Sequence, residues 1–145
     1  MREILFRGKR KDNGEWIEGY YCNCVKAVGM ETIPSIQQTN DNSLYFREVI
    51  PETVGQYTGL TDKNGKKIFE GDIVVVRYNS GEICSIGDVQ FDCGVFGAEW
   101  TTHKENKTMV GAWGQLHNLR RFDDDIIKSI EVIGNKWDNP ELLGE

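Results

Sequence analysis

Twice in this chain an Asn-Gly pair stands between short apolar runs, and that arrangement restricts the fold more than any other feature of the sequence. Ile4-Leu5-Phe6 and Trp16-Ile17 flank Lys11-Asp12-Asn13-Gly14, while Tyr57–Leu60 and Ile68-Phe69 flank Asp62-Lys63-Asn64-Gly65. Asn-Gly readily takes the positive φ angles of a tight hairpin turn, whose twist suits the strands on either side. Two β-hairpins are therefore expected, the first at the N-terminal end.

The rest of the chain has the same texture. Short apolar stretches alternate with Gly, Asn and Asp, and long runs of 3.6-residue period are nearly absent, so strands should dominate. Gly71 permits a further sharp turn, and Asp72-Ile73-Val74-Val75-Val76-Arg77-Tyr78 then reads as a core strand covered on both faces, because its centre lacks polar alternation. Glu82 to Phe91 and Val95 to Trp100 read as a strand pair around Asp92-Cys93-Gly94. A polar connection at His103 to Lys107 precedes Met109-Val110. Between residues 25 and 49 the polar run Gln37 to Ser43 reads as a loop between two strands. Leu119, Phe122, Ile126, Ile127 and Ile130 fit helical spacing behind Asp123-Asp124-Asp125, yet Ile130 and Val132 also fit a strand ending at Gly134. A turn or single helical turn followed by a strand is the favoured reading.

With 145 residues and no linker or low-complexity tract, residues 1-145 are expected to form a single domain with one hydrophobic core. The fold class expected is mainly β, with strands curled into a small barrel-like domain, the N-terminal hairpin beside it and at most one short helix. Met1 is followed at once by charged residues, which is neither a secretory leader nor a membrane span, so a cytoplasmic protein is expected. There the four cysteines, Cys22, Cys24, Cys84 and Cys93, would remain free thiols.

Each constellation that could carry chemistry meets a structural alternative. A phosphate-binding loop needs four residues between Gly and Gly-Lys and then a hydroxyl; here five residues separate Gly59 from Gly65, and Lys67 stands where the hydroxyl belongs. An EF-hand counted from Asp62 would place Lys67 at the obligatory glycine and Ile73 at the bidentate glutamate. The cysteines with His103 and His117 could ligate zinc, but the one close pair, Cys22-Asn23-Cys24, has a single intervening residue where structural zinc usually takes two to four. Glu70/Asp72 and Asp123-Asp124-Asp125 are the acidic pairs that acid–base chemistry would use, and also the residues that turns and helix starts use. No catalytic residue, metal site or cofactor is assigned, and the expectation is that the chain is not an enzyme.

Net charge is −6, with the acid concentrated in the second half, which opposes non-specific binding to duplex nucleic acid. One local exception is Arg7-Gly8-Lys9-Arg10-Lys11. With Trp16 on the flanking strand, Arg7, Lys9, Arg10 and Lys11 are the candidate nucleic-acid contacts, the cations for phosphate and the indole for stacking a base. Trp100, Trp113 and Trp137 read instead as core or interface aromatics.

One stretch resembles a known family. Gln56-Tyr57-Thr58-Gly59-Leu60-x-Asp62-x-x-Gly65-x-x-Ile68-x-Glu70-Gly71-Asp72-Ile73, then Val132-Ile133-Gly134-Asn135 and Asn139-Pro140-Glu141-Leu142-Leu143, are similar to the YopX family of phage and prophage proteins. Phe6-Arg7-Gly8-Lys9-Arg10 and Trp16 are similar to the opening hairpin of many members; residues 25 to 49 and 95 to 120 are the variable parts. The resemblance implies a bacteriophage or prophage accessory protein with a β-rich, barrel-like fold, and it implies no reaction and no catalytic residue. The function expected is that of a non-enzymatic module binding an unknown host or phage macromolecule. A homo-oligomer is compatible with exposed edge strands, no membrane partner is expected, and a nucleic-acid binder using the basic hairpin is the alternative.

Overall fold

The computed structural model describes residues 3–25, 32–38, 46–77, 83–92, 95–104, 107–115 and 130–143. Among them the regular structure is strand throughout, apart from two 3-10 turns at Pro51–Thr53 and Pro140–Leu143. The chain divides into two compact units, Met1–Gly59 and Leu60–Glu145.

The first unit contains β1 (Phe6–Lys9), β2 (Trp16–Val25), β3 (Thr32–Gln38), β4 (Phe46–Glu48) and the start of β5 (Gly55–Thr61), side by side in the order β4-β3-β2-β1-β5. β1 and β2 form the expected hairpin, pairing Phe6 with Gly19 and Lys9 with Trp16. Its turn works as the Asn-Gly chemistry requires. Gly14 has φ 73°, and the side-chain oxygen of Asn13 accepts the Glu15 amide at 2.9 Å. Strand alternation sends Ile17, Ile36 and Val49 to one face, where Phe6, Tyr21 and Val54 pack against them. The opposite face is left for the polar and aromatic residues described below.

The second unit contains the end of β5, β6 (Lys67–Phe69), β7 (Asp72–Arg77), β8 (Ile83–Asp92), β9 (Val95–Lys104), β10 (Lys107–Gln115) and β11 (Ile130–Asn135). β7 to β11 form an antiparallel sheet ordered β10-β9-β8-β7-β11. The β-branched run is the core strand its composition suggests: Ile73, Val74 and Val75 are all 0% exposed, so both faces of β7 are covered. Val74 joins Leu60, Ile68, Val89, Ala98, Ile130 and Val132 in one apolar cluster. Ile130 and Val132 lie on β11, so of the two readings at residues 130 to 134 the strand is the one that forms. The candidate helix N-terminal to it lies outside the described residues.

The polar connection differs from what is expected, and the barrel is not shown. β9 runs through His103 to Lys104 and β10 begins at Lys107, so the polar connection is far shorter than its composition suggests. Antiparallel pairing of Thr102 with Met109 and of His103 with Thr108 outweighs side-chain polarity there. The barrel-like curl is not shown: among the described residues the strands pair as two antiparallel sheets, and no pairing joins β4 to β6 or β10 to β11, the ends of each. Closure depends on long-range pairing that no local pattern encodes.

Candidate functional site

The candidate basic cluster lies on β1 and the turn after it, and the structure gives each of its cations a partner within the chain. Arg7 is buried, at 8% exposure, with its guanidinium carbon 4.9 Å from the centre of the Trp16 ring. Lys9 Nζ approaches the same ring at 5.8 Å. Because Lys9 pairs directly with Trp16 and Arg7 lies diagonally to it, the indole is a platform for two of the protein's own cations. Arg10 forks onto Asp12, with Nε and Nη2 donating to the two carboxylate oxygens at 2.9 and 2.6 Å. That pairing holds the Asp12 carboxyl below its ordinary pKa. Lys11 Nζ reaches Glu48 on β4 at 3.3 Å. Arg7, Lys9, Arg10, Lys11 and Trp16 are thus brought together, with each cation against a ring or carboxylate of the chain itself.

The same face carries residues that the sequence did not single out. The register pairs Tyr20 with Gln37 and Gln37 with Phe46, so these three stand in a row across β2, β3 and β4. Tyr20 is 60% exposed and Phe46 43% exposed. Beside the row, an open depression of about 350 Å³ is lined by Lys11, Asp12, Phe46, Arg47 and Glu48. Spacing could have found half of this arrangement, since Trp16, Glu18 and Tyr20 alternate with the buried Ile17. Phe46 required knowledge of the β3–β4 register.

The next positions on this face are Cys22, opposite Ser35, and Cys24, opposite Ile33. Their sulfurs lie 3.0 Å apart, and both residues are partly buried. Burial, followed by the hydrogen bond and charge of Cys24, pushes the Cys22 thiol up to about 11. Of the other thiol and imidazole candidates, Cys84 is on β8 and His103 on β9, with their side chains outside what the structure describes, as are those of Trp100 and Trp113. Cys93, His117 and Asp123-Asp124-Asp125 lie outside the described residues altogether. Among the described residues no cluster of three or more His, Cys, Asp or Glu is placed to hold a metal ion.

The glycine-rich stretch from Gly55 to Val74 is built as scaffold. The amides of Asn64 and Lys66 donate to Asp62 Oδ1 at 2.8 and 2.9 Å, which shapes the turn. The Val132 amide donates to Oδ2 at 3.0 Å, and the Lys63 amide donates to the Ile130 carbonyl at 2.9 Å. The turn is thereby docked on β11. Its glycine, Gly65, has φ 79° and nothing near the place of a Cβ. Asp72 is buried and accepts the Phe69 amide at 2.8 Å, which closes the turn between β6 and β7. Gly71 within that turn has φ 91°, and a Cβ there would run into the Trp137 ring. Trp137 is held in place by a second local network, in which Asn135 Oδ1 accepts the amides of Trp137 and Asp138 at 3.1 and 2.9 Å. Glu70 and Asp72 therefore flank a structural turn.

Comparison with known proteins agrees with a recognisable scaffold. The model of the family described as YopX protein matches residues 5–144. The crystal structure of protein EF1440 from Enterococcus faecalis is similar to this chain with a TM-score of 0.50 and 22% sequence identity, covering 99% of each chain. At that identity the likeness concerns the fold alone. No curated protein matches the chain. No helix among the described residues is long and apolar enough to cross a membrane.

Proposed function

The chain belongs to the YopX family, and on that premise we propose that it is a non-enzymatic accessory protein of a phage or prophage, working in the host cytoplasm by binding another macromolecule. The binding surface is the outer face of the β4-β3-β2 sheet. The observation that carries this reading is the row Tyr20–Gln37–Phe46, with both aromatics exposed beside a shallow depression. Tyr and Phe supply large contact area at little conformational cost and are enriched where proteins dock. A second copy of the chain pairing along the short end strand β4 is one form such docking could take.

The experiment is affinity capture from phage-infected host cells, with and without nuclease, using the wild type and a Tyr20→Ala/Phe46→Ala variant. A partner recovered by the wild type, resistant to nuclease and lost from the variant, supports the proposal. Equal recovery by both proteins, or a turnover activity abolished by one polar substitution, refutes it. Recovery that depends on nucleic acid favours the alternative, a small-barrel nucleic-acid binder using the basic hairpin. That alternative requires salt-sensitive binding that falls when Lys9 and Lys11 become Ala.

A further inference from the structure

We propose that Cys22 and Cys24 form a two-thiolate site for a soft monovalent cation, of which copper(I) is the representative. A Cys-x-Cys segment on a strand points both side chains to the same face, since side-chain direction alternates with a period of two. Here the sulfurs lie 3.0 Å apart. The backbone beneath them is fixed by pairing with β3, Cys22 opposite Ser35 and Cys24 opposite Ile33, so only side-chain torsions adjust when the cation arrives. Both thiols are partly buried rather than sealed off.

The donor set selects the cation. Thiolates prefer soft ions such as copper(I), whereas structural zinc takes four ligands in a tetrahedron. Among the described residues no third His, Cys, Asp or Glu completes such a set. Positions two apart on a strand have Cα atoms separated by about 6.7 Å. With metal–thiolate bonds of about 2.3 Å, as zinc makes, a linear bridge would place the sulfurs about 4.6 Å apart. Rotation about χ1 opens the pair that far without moving the strand. Binding is a proton exchange with no redox change: two thiols release two protons, and two sulfur–copper bonds form in a complex of net charge −1.

The test is an anaerobic copper(I) titration at pH 7 in competition with bicinchoninate, on a C84S/C93S background that leaves only this pair. One equivalent retained, with two protons released, is expected. Cys22→Ser or Cys24→Ser should each weaken retention at least tenfold, and zinc should not replace the copper. Unchanged retention in either serine variant, or zinc held as tightly as copper, overturns the proposal. Should the background not fold, the same comparison on the four-cysteine chain reads as the loss of one equivalent or of none. Circular dichroism of each variant separates loss of the site from loss of the fold.

Discussion

Replacing Asp62 by alanine removes the acceptor for three backbone amides at once, those of Asn64, Lys66 and Val132. The Val132 bond is buried, and a buried donor left without an acceptor costs about 1–3 kcal/mol. Asn64 and Lys66 sit in an exposed turn, where water takes over, so their loss adds about 1 kcal/mol. The expected destabilisation is about 3 kcal/mol, or roughly 12–24 °C in Tm for a unit the size of Leu60–Glu145. Its pH dependence identifies the cause. Burial acts to raise the Asp62 pKa, but the amides of Val132, Lys66 and Asn64 and the charge of Lys66 outweigh it and hold the carboxyl below its ordinary 3.8. A depressed folded pKa gives stability that is complete above the unfolded value, about 3.9, and is lost as pH falls through the lower folded one. Denaturant melts of wild type and Asp62→Ala should therefore differ fully at pH 7 and converge as the pH is taken below about 4. Asp62→Asn, which keeps one carbonyl oxygen, should cost about half as much as alanine, with little convergence. A gap under about 0.5 kcal/mol at pH 7, or one that stays constant into acid, would show that Asp62 does not hold the turn on β11.

Gly71→Ala should lose at least about 2 kcal/mol, because both its φ and the Trp137 ring oppose a Cβ. Combining it with Trp137→Ala should be sub-additive in denaturant melts, since the ring is half of the conflict. Gly65→Ala, with a similar φ but open space around it, should lose only about 1–2 kcal/mol. Lys11→Ala should change stability by less than about 0.5 kcal/mol, because its pair with Glu48 is 65% and 43% exposed. Tyr20→Ala and Phe46→Ala should each stay within about 0.5 kcal/mol of wild type in the same melts while losing partner capture.

What was legible in the sequence follows from how local each cause is. Both hairpins could be read because Asn-Gly imposes its own backbone geometry, and β7 because a β-branched run has few other solutions. The place of the turn at Asp62 to Gly65 could be read for the same reason, whereas the bond from Val132, 70 residues on, to the Asp62 carboxylate could not. The spacing of Cys22 and Cys24 was visible, but the 3.0 Å between their sulfurs depends on side-chain rotamers that spacing does not encode. The basic hairpin shows the opposite failure. Its charges were plain in the sequence, but Trp16, Asp12 and Glu48 as their partners were not, since Glu48 arrives from a different strand. The exposed row needed two registers at once.

The docking of the Asp62–Gly65 turn on β11 also sets a timetable. As the chain leaves the ribosome, residues 1–59 can complete β1 to β4 from neighbours already made, and the first unit is free to fold early. The second cannot. Its middle segment waits with the Asp62 carboxylate, the Gly71 turn and one flank of β7 all unmet until residues 130–139 have been synthesised. In that interval β7, whose Ile73, Val74 and Val75 end fully buried, has an uncovered edge, so a stalled or slowly translated message would expose it to aggregation and to chaperones, at a point that ribosome-bound nascent chains of increasing length would locate.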